Sequence, residues 1–255
     1  MRVDLNADMG EGFGVYPLGR DADLLAVVTS ANIACGFHAG DPSVMDRTVA
    51  LAVQAGVSIG AHPGFPDLRG FGRRRVDADP AEVERDVLYQ VGALQAFTRA
   101  HGSRVVHVKA HGALYNQAAE EEPLARAVAR GIARAGQDLV MVGLASTEVM
   151  RRAAEETGLR FAAEGFADRR YERDGTLQSR KIPGSLITDP AAAADQALRI
   201  ARDGTVVATD GSEIRLRADT LCLHGDNPAA VANAAAVRRA LEQAGVEVRS
   251  FARAE

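Results

Sequence analysis

The chain has no tryptophan, two cysteines and, among many arginines, only two lysines in 255 residues. Each shortage excludes something. Cys35 and Cys222 both lie inside apolar runs. They read as buried thiols of a reducing compartment, which excludes a disulfide scaffold and a cysteine-paired zinc module. No apolar run approaches the roughly 18 residues of a membrane span. The N-terminus opens directly on a strand-like segment, Arg2-Val-Asp-Leu-Asn6, with no leader pattern before it, so a cytoplasmic location is expected. The net charge is −4 and no basic tract stands out, which argues against nucleic acid as a partner. Also missing are a Gly-x-x-x-x-Gly-Lys-Ser/Thr loop, a Gly-x-Ser-x-Gly elbow and a dinucleotide-binding Gly-x-Gly-x-x-Gly after a strand.

The scarcity of lysine draws attention to the two that remain. Arginine supplies nearly all the positive charge, so Lys109 and Lys181 mark places where a compact amine was kept. Lys109 stands two residues before His111 in a strand-like run. Burial there would lower its pKa and suit it to acid/base work. Lys181 falls in a loop and reads as ordinary surface.

With 47% hydrophobic and 25% charged residues, the chain can bury one large core, and about 250 residues is the usual size of an α/β barrel. One domain over 1–255 is the expectation. Strand patterns fall at 2–8, 28–34, 57–62, 105–111, 138–144, 159–164, 205–208, 219–224 and 246–251. Several are continuous apolar runs, as parallel strands covered on both faces require. Helix starts are marked by Asp41-Pro42, Asp79-Pro80, Asp189-Pro190 and Asn227-Pro228. In each the Asx side chain can accept from a free backbone N–H, and proline gives up an N–H that had no partner. Gly56, Gly102, Gly136, Gly158, Gly204 and Gly245 mark helix ends. The long irregular stretches, 62–79 and 164–184, follow strands, where an α/β protein places chemistry. A β-hairpin is expected from Val206 to Leu216, turning at Asp210-Gly211.

Four of the six histidines share one context, an apolar run that breaks into His with Gly or Pro close behind: His38, His62, His111 and His224. Strand ends of this kind form the polar rim of an α/β barrel. Asp8 and Glu11 flank a glycine turn after the first strand and could serve as an acid/base pair or as ligands of a hard metal. Asn6 and Asn32 approach the same rim. Asp41 reads as a helix cap beside free N–H groups that could hold an anion. Glu164 ends an apolar strand, a costly place for a carboxylate unless it is paired or catalytic. Asp168, Arg169 and Arg170 read as surface pairs, and His101 and His107 as structural.

Six motifs carry a resemblance. Asp4-Leu-Asn-Ala-Asp-Met-Gly-Glu-Gly-Phe-Gly14, Ser30-Ala-Asn-Ile-Ala-Cys-Gly-Phe-His-Ala-Gly-Asp41, Gly60-Ala-His-Pro-Gly64, Val108-Lys-Ala-His-Gly-Ala-Leu-Tyr-Asn116, Glu164-Gly-Phe-Ala-Asp-Arg-Arg-Tyr171 and Leu223-His-Gly-Asp226 are similar to the LamB/YcsF family, whose members are also called 5-oxoprolinase A subunits. The resemblance implies a distorted, TIM-like (β/α)7 barrel with parallel strands and outer helices, related to the glycoside hydrolase/deacetylase barrels. It implies hydrolysis of 5-oxoproline, a small lactam, to L-glutamate, with ATP as co-substrate and subunits B and C as partners. Carried onto this chain, it makes Asp8, Glu11, His38, His62, Lys109, His111, Glu164 and His224 candidate catalytic residues. Asn6, Asn32, Asp41, Tyr115, Asn116 and Arg170 become candidate substrate contacts. Two other readings stay open. One is a hydrolase or deacetylase using a divalent metal on Asp8, His38 and His62; the other is a non-catalytic protein that holds a small anion.

Overall fold

The computed structural model describes residues 1–223 and 230–252. Its centre is a closed barrel of seven parallel strands. These are β1 (Arg2–Met9), β2 (Ser30–Ala34), β3 (Ser58–His62), β4 (Val105–Lys109), β5 (Val140–Leu144), β6 (Arg160–Phe166) and, after the antiparallel hairpin β7 (Thr205–Val207) and β8 (Glu213–Arg215), β9 (Thr220–Leu223). Neighbours pair in chain order, and β9 closes the ring against both β6 and β1. A short last strand, β10 (Glu247–Val248), adds to the start of β1. Around the barrel lie α1 (Asp21–Leu25), α2 (Pro42–Ala55), α3 (Pro80–Ala100), α4 (Gly112–Glu120), α5 (Glu122–Ala135), α6 (Val149–Glu156), α7 (Pro190–Leu198) and α8 (Ala230–Gln243).

The helix starts read from the sequence follow from local hydrogen bonding. Asp41 accepts from the N–H groups of Ser43 and Val44, Asp79 from Ala81 and Asp189 from Ala192. The Asn227-Pro228 start lies outside the described residues. The hairpin pairs Val206 with Ile214, as expected. The fourth and the last strands end well before their apolar runs do. The fourth stops at Lys109, because Gly112 turns at φ +52° and His111 instead precedes the first turn of α4. The last is two residues long rather than 246–251, since Ser250 and Phe251 fold beneath the barrel, where Phe251 meets His107 and the small apolar set Val140, Val142 and Ala162.

The two faces of the strands divide the chemistry. Leu5, Ile33, Ile59, Met141 and Leu221 point outward onto the helices and are 0–1% exposed; each stabilises by roughly 1.5–3 kcal/mol. The inner face is polar. Asp4, Asn6 and Asp8 climb it on β1, beside Ser30 and Asn32, His62, His107 and Lys109, Glu164, and Thr220. A bulge opposite Ile59 and Gly60 turns His107 inward rather than out. Gly60 makes room for it, because a Cβ there would lie 2.0 Å from His107 Nε2.

Buried polar groups need partners, and here they find one another. At the bottom, Asp4 accepts from the hydroxyls of Thr29, Ser30 and Thr220. One layer up, Asn6 donates to Glu164 (3.1 Å) and Thr220 (2.7 Å), Asn32 donates to Asn6 (2.7 Å), and His107 Nε2 meets Asn32 Oδ1 at 2.8 Å. This network forms the floor of the site.

Candidate active site

Above the floor, at the C-terminal ends of the strands, Lys109 reaches up from β4. Its Nζ lies 3.0 Å from Asp8 Oδ1, 2.9 Å from Glu164 Oε1, 3.3 Å from Asn6 Oδ1 and 3.0 Å from Cys222 Sγ. Burial works against the charge on this amine, but Asp8, Cys222 and Glu164 outweigh it and hold Lys109 well above its ordinary value. The expectation that burial alone would depress it is thus corrected. Lys109 is a fixed cation between two carboxylates. Burial in turn raises the Cys222 thiol well above its usual range, although Lys109 opposes this.

Beside this triad stand three histidines and Glu11. His62 Nε2 is 3.3 Å from Asp8 Oδ2, and its Nδ1 is 2.7 Å from the Lys109 carbonyl. His111 Nδ1 is 2.9 Å from His62 Nε2, and its Nε2 is 2.9 Å from the Phe71 carbonyl. His38 stacks on His111 with ring centres 3.7 Å apart, and Glu11 Oε1 lies 3.4 Å from His38 Nε2 and 3.5 Å from His111 Nδ1. Burial, reinforced by the neighbouring histidines, holds His38 and His111 well below the ordinary histidine range. The 62–79 stretch closes over these rings. Phe71 adopts φ +53°, a left-handed conformation costly for a side chain of this kind. Gly72 presses so close that a Cβ would lie 2.7 Å from His38 Cβ and 2.8 Å from His111 Cδ2.

The triad opens into a cavity of about 470 Å³ lined by Asp8, His62, Lys109 and His111, with Tyr115 and Asn116 from α4. The far wall comes from the loop after β6, with Arg169, Arg180 and Lys181, and from Arg73 of the loop after β3. Five lining residues are cationic and two, Asp8 and Glu120, are acidic. The cavity therefore favours an anionic guest. Arg169 is only 6% exposed, donates to the Gln178 carbonyl at 2.6 Å and leaves its buried Nε without a hydrogen bond. Burial, with Arg180 next to it, pushes its pKa down to about 10. Burial and then Glu164 raise the Tyr115 phenol well above its usual value.

The structure thus gathers Asp8, Glu11, His38, His62, Lys109, His111 and Glu164 at one end of the barrel. His224 lies outside the described residues. Tyr115 and Asn116 line the cavity, whereas Asn6 and Asn32 lie in the floor beneath it. Asp41 caps α2 and also accepts from the Gly14 N–H at 2.6 Å; Arg170 is exposed and donates to the Gly184 carbonyl. Neither lines the cavity. Asp168 and Arg169 are buried, not surface pairs, and the loop lysine Lys181 reaches the site. Its place in the scarce-lysine pattern was a signal that loop position obscured. Cys222 and the Phe71 carbonyl had no sequence signal.

A family model described as the LamB/YcsF family matches residues 3–255. The chain belongs to that family. A relative in Heliobacterium modesticaldum, named as the A subunit of 5-oxoprolinase, is 53% identical over 98% of this chain and 98% of its own. The crystal structure of a lactam utilization protein from Thermus thermophilus is 51% identical and superposes with a TM-score of 0.92, covering 98% of this chain and 100% of that one. A family 4 carbohydrate esterase from Streptomyces lividans shares the fold at 12% identity and a TM-score of 0.50, covering 100% of this chain and 96% of that one. The expected LamB/YcsF barrel, with seven parallel strands, outer helices and deacetylase-type neighbours, is therefore what the chain forms. No helix among the described residues is long and apolar enough to cross a membrane.

Proposed function

We propose that this chain holds and opens 5-oxoproline as the A subunit of an ATP-coupled 5-oxoprolinase that also contains subunits B and C, releasing L-glutamate, ADP and phosphate. The observation that carries the reading is the cavity itself. It is small, its wall is cationic and its base is the Asp8–Lys109–Glu164 triad. A lactam carrying one carboxylate matches that wall, and Arg169 with Lys181 would hold the carboxylate. The names of the relatives point to the same substrate.

The chemistry follows from charge. A lactam carbon is a poor electrophile, and phosphoryl transfer from ATP to its oxygen, with ADP leaving, activates that carbon toward water. Water then adds to the carbon, the ring C–N bond breaks as the nitrogen takes up a proton, and a second water cleaves the γ-glutamyl phosphate so formed to glutamate and phosphate. Lys109, held charged by Asp8 and Glu164, stabilises the negative charge that the phosphoryl group brings to that oxygen. Asp8 lines the cavity and contacts His62, and it serves as the base that deprotonates the water. Glu164 keeps Lys109 charged and in place. A divalent metal, if held by the three histidines and Glu11, would supply Lewis acidity.

Binding separates this reading from its rivals. Calorimetry with the assembled complex should show 5-oxoproline binding, and Arg169→Gln should weaken it by about tenfold or more, the loss of one charged hydrogen-bonding partner. Binding unaffected by that change would rule the cavity out as the substrate site.

A further inference from the structure

We propose that Glu11, His38, His62 and His111 form a binding site for a first-row divalent transition-metal ion. Hydrogen positions on two of the rings are set by their acceptors. A backbone carbonyl only accepts, so a ring nitrogen 2.7 Å from the Lys109 carbonyl must carry a proton; this is His62 Nδ1. By the same reasoning His111 Nε2, 2.9 Å from the Phe71 carbonyl, carries its proton there. In the neutral rings the other two nitrogens, His62 Nε2 and His111 Nδ1, are then bare lone pairs. They face each other at 2.9 Å.

Two lone pairs do not rest at that separation unless positive charge stands with them. The surroundings add more acceptors. Glu11 Oε1 is 3.5 Å from His111 Nδ1, and Asp8 Oδ2 is 3.3 Å from His62 Nε2. His38 is fully buried, both its ring nitrogens lack a hydrogen bond, and its Nε2 points at Glu11 Oε1 from 3.4 Å. One ligand atom from each of Glu11, His38, His62 and His111 lies within 4.8 Å of all the others. Ligands sharing an ion at about 2.1 Å are separated by roughly 3–4 Å, so this set needs little rearrangement.

The outer contacts fit the same reading. Metal-bound histidines donate their second N–H to a carbonyl or carboxylate, which fixes the tautomer and the ring plane. His62 and His111 both do so, and Phe71 holds a strained φ of +53° while presenting its carbonyl to His111. Imidazole with one carboxylate suits zinc, iron, cobalt, nickel or manganese rather than calcium or magnesium. The site needs no lactam, so its fate is separate from that of the proposed substrate.

The test uses the full-length chain, stripped with a chelator and titrated with Zn²⁺, Mn²⁺ and Co²⁺ by calorimetry, with metal content read by mass spectrometry. Binding of one ion per chain in the micromolar range or tighter is expected, and Co²⁺ should give visible absorption bands. His111→Ala and His38→Ala should each weaken binding by about 100-fold or more. Should those variants fail to fold, ¹⁵N NMR of the wild-type chain decides. The protonated nitrogens should be His62 Nδ1 and His111 Nε2, and added metal should shift their bare partners. A stripped wild-type chain that binds none of the three ions, with a proton shared between His62 and His111, overturns the proposal.

Discussion

Replacing Lys109 with methionine tests how the barrel interior is held together. The change keeps length and bulk but removes the cation that lies 3.0 Å from Asp8 and 2.9 Å from Glu164. Both Lys109 and Glu164 are buried, at 3% and 0% exposure. Breaking a buried ion pair by removing one partner costs about 3–5 kcal/mol, because the remaining charge has no solvent to receive it. For a chain of this size each kcal/mol moves the melting temperature by about 2–4 °C, so Lys109→Met should melt about 6–20 °C below the parent at neutral pH. Adding Glu164→Gln should recover much of the loss, since Asn32 still donates to Asp8 at 2.9 Å. Scanning calorimetry on the three proteins reads all of this. A fall under about 2 °C, or a double variant no better than the single one, would refute the view that the triad is a coupled buried unit.

Other consequences follow from the floor of the barrel. Asp4 is pushed from 3.8 up to about 6 by burial, which outweighs its hydrogen bonds from Ser30, Thr220 and Thr29. A folded-state pKa above the unfolded one means that the stability it contributes is full below pH 3.8 and is lost as pH rises through about 6, by about 3 kcal/mol. Asp4→Asn should therefore flatten urea-measured stability between those limits, and an unchanged slope counts against the assignment. Gly60→Ala places a Cβ 2.0 Å from His107 Nε2 and should cost about 1–3 kcal/mol or more, with part of the loss restored by His107→Ala; equal melting of parent and Gly60→Ala would show that the ring moves aside freely. Cys35, pushed up to about 12 by burial, and Cys222, also raised by burial, should both resist a thiol reagent in the native chain and react once it is unfolded. Rapid native labelling of either would contradict their burial.

Much of this architecture was legible in the sequence because it rests on short-range rules. Asp-Pro pairs cap helices through bonds two or three residues away, and unbroken apolar runs such as Val140–Leu144 give strands covered on both faces. The rim was legible for the same reason: Asp8, His62, Lys109 and Glu164 sit at or near the ends of apolar runs, and strand ends of a parallel barrel converge. What escaped depends on distant segments meeting. No local pattern tells that Cys222 touches Lys109, that the Phe71 carbonyl fixes the tautomer of His111, or that Arg169 is buried. Burial of Lys109 is visible in the sequence, but the carboxylates that raise its pKa come from β1 and β6, far away along the chain.

The most direct measurement is glutamate release from 5-oxoproline by the chain assembled with its proposed partner subunits, with and without ATP, for the parent and for Asp8→Asn. ATP-dependent release by the parent is expected, with a loss of about 100-fold or more in Asp8→Asn, the scale of removing a general base. No release in any combination, or release undiminished by Asp8→Asn, would contradict the proposed chemistry.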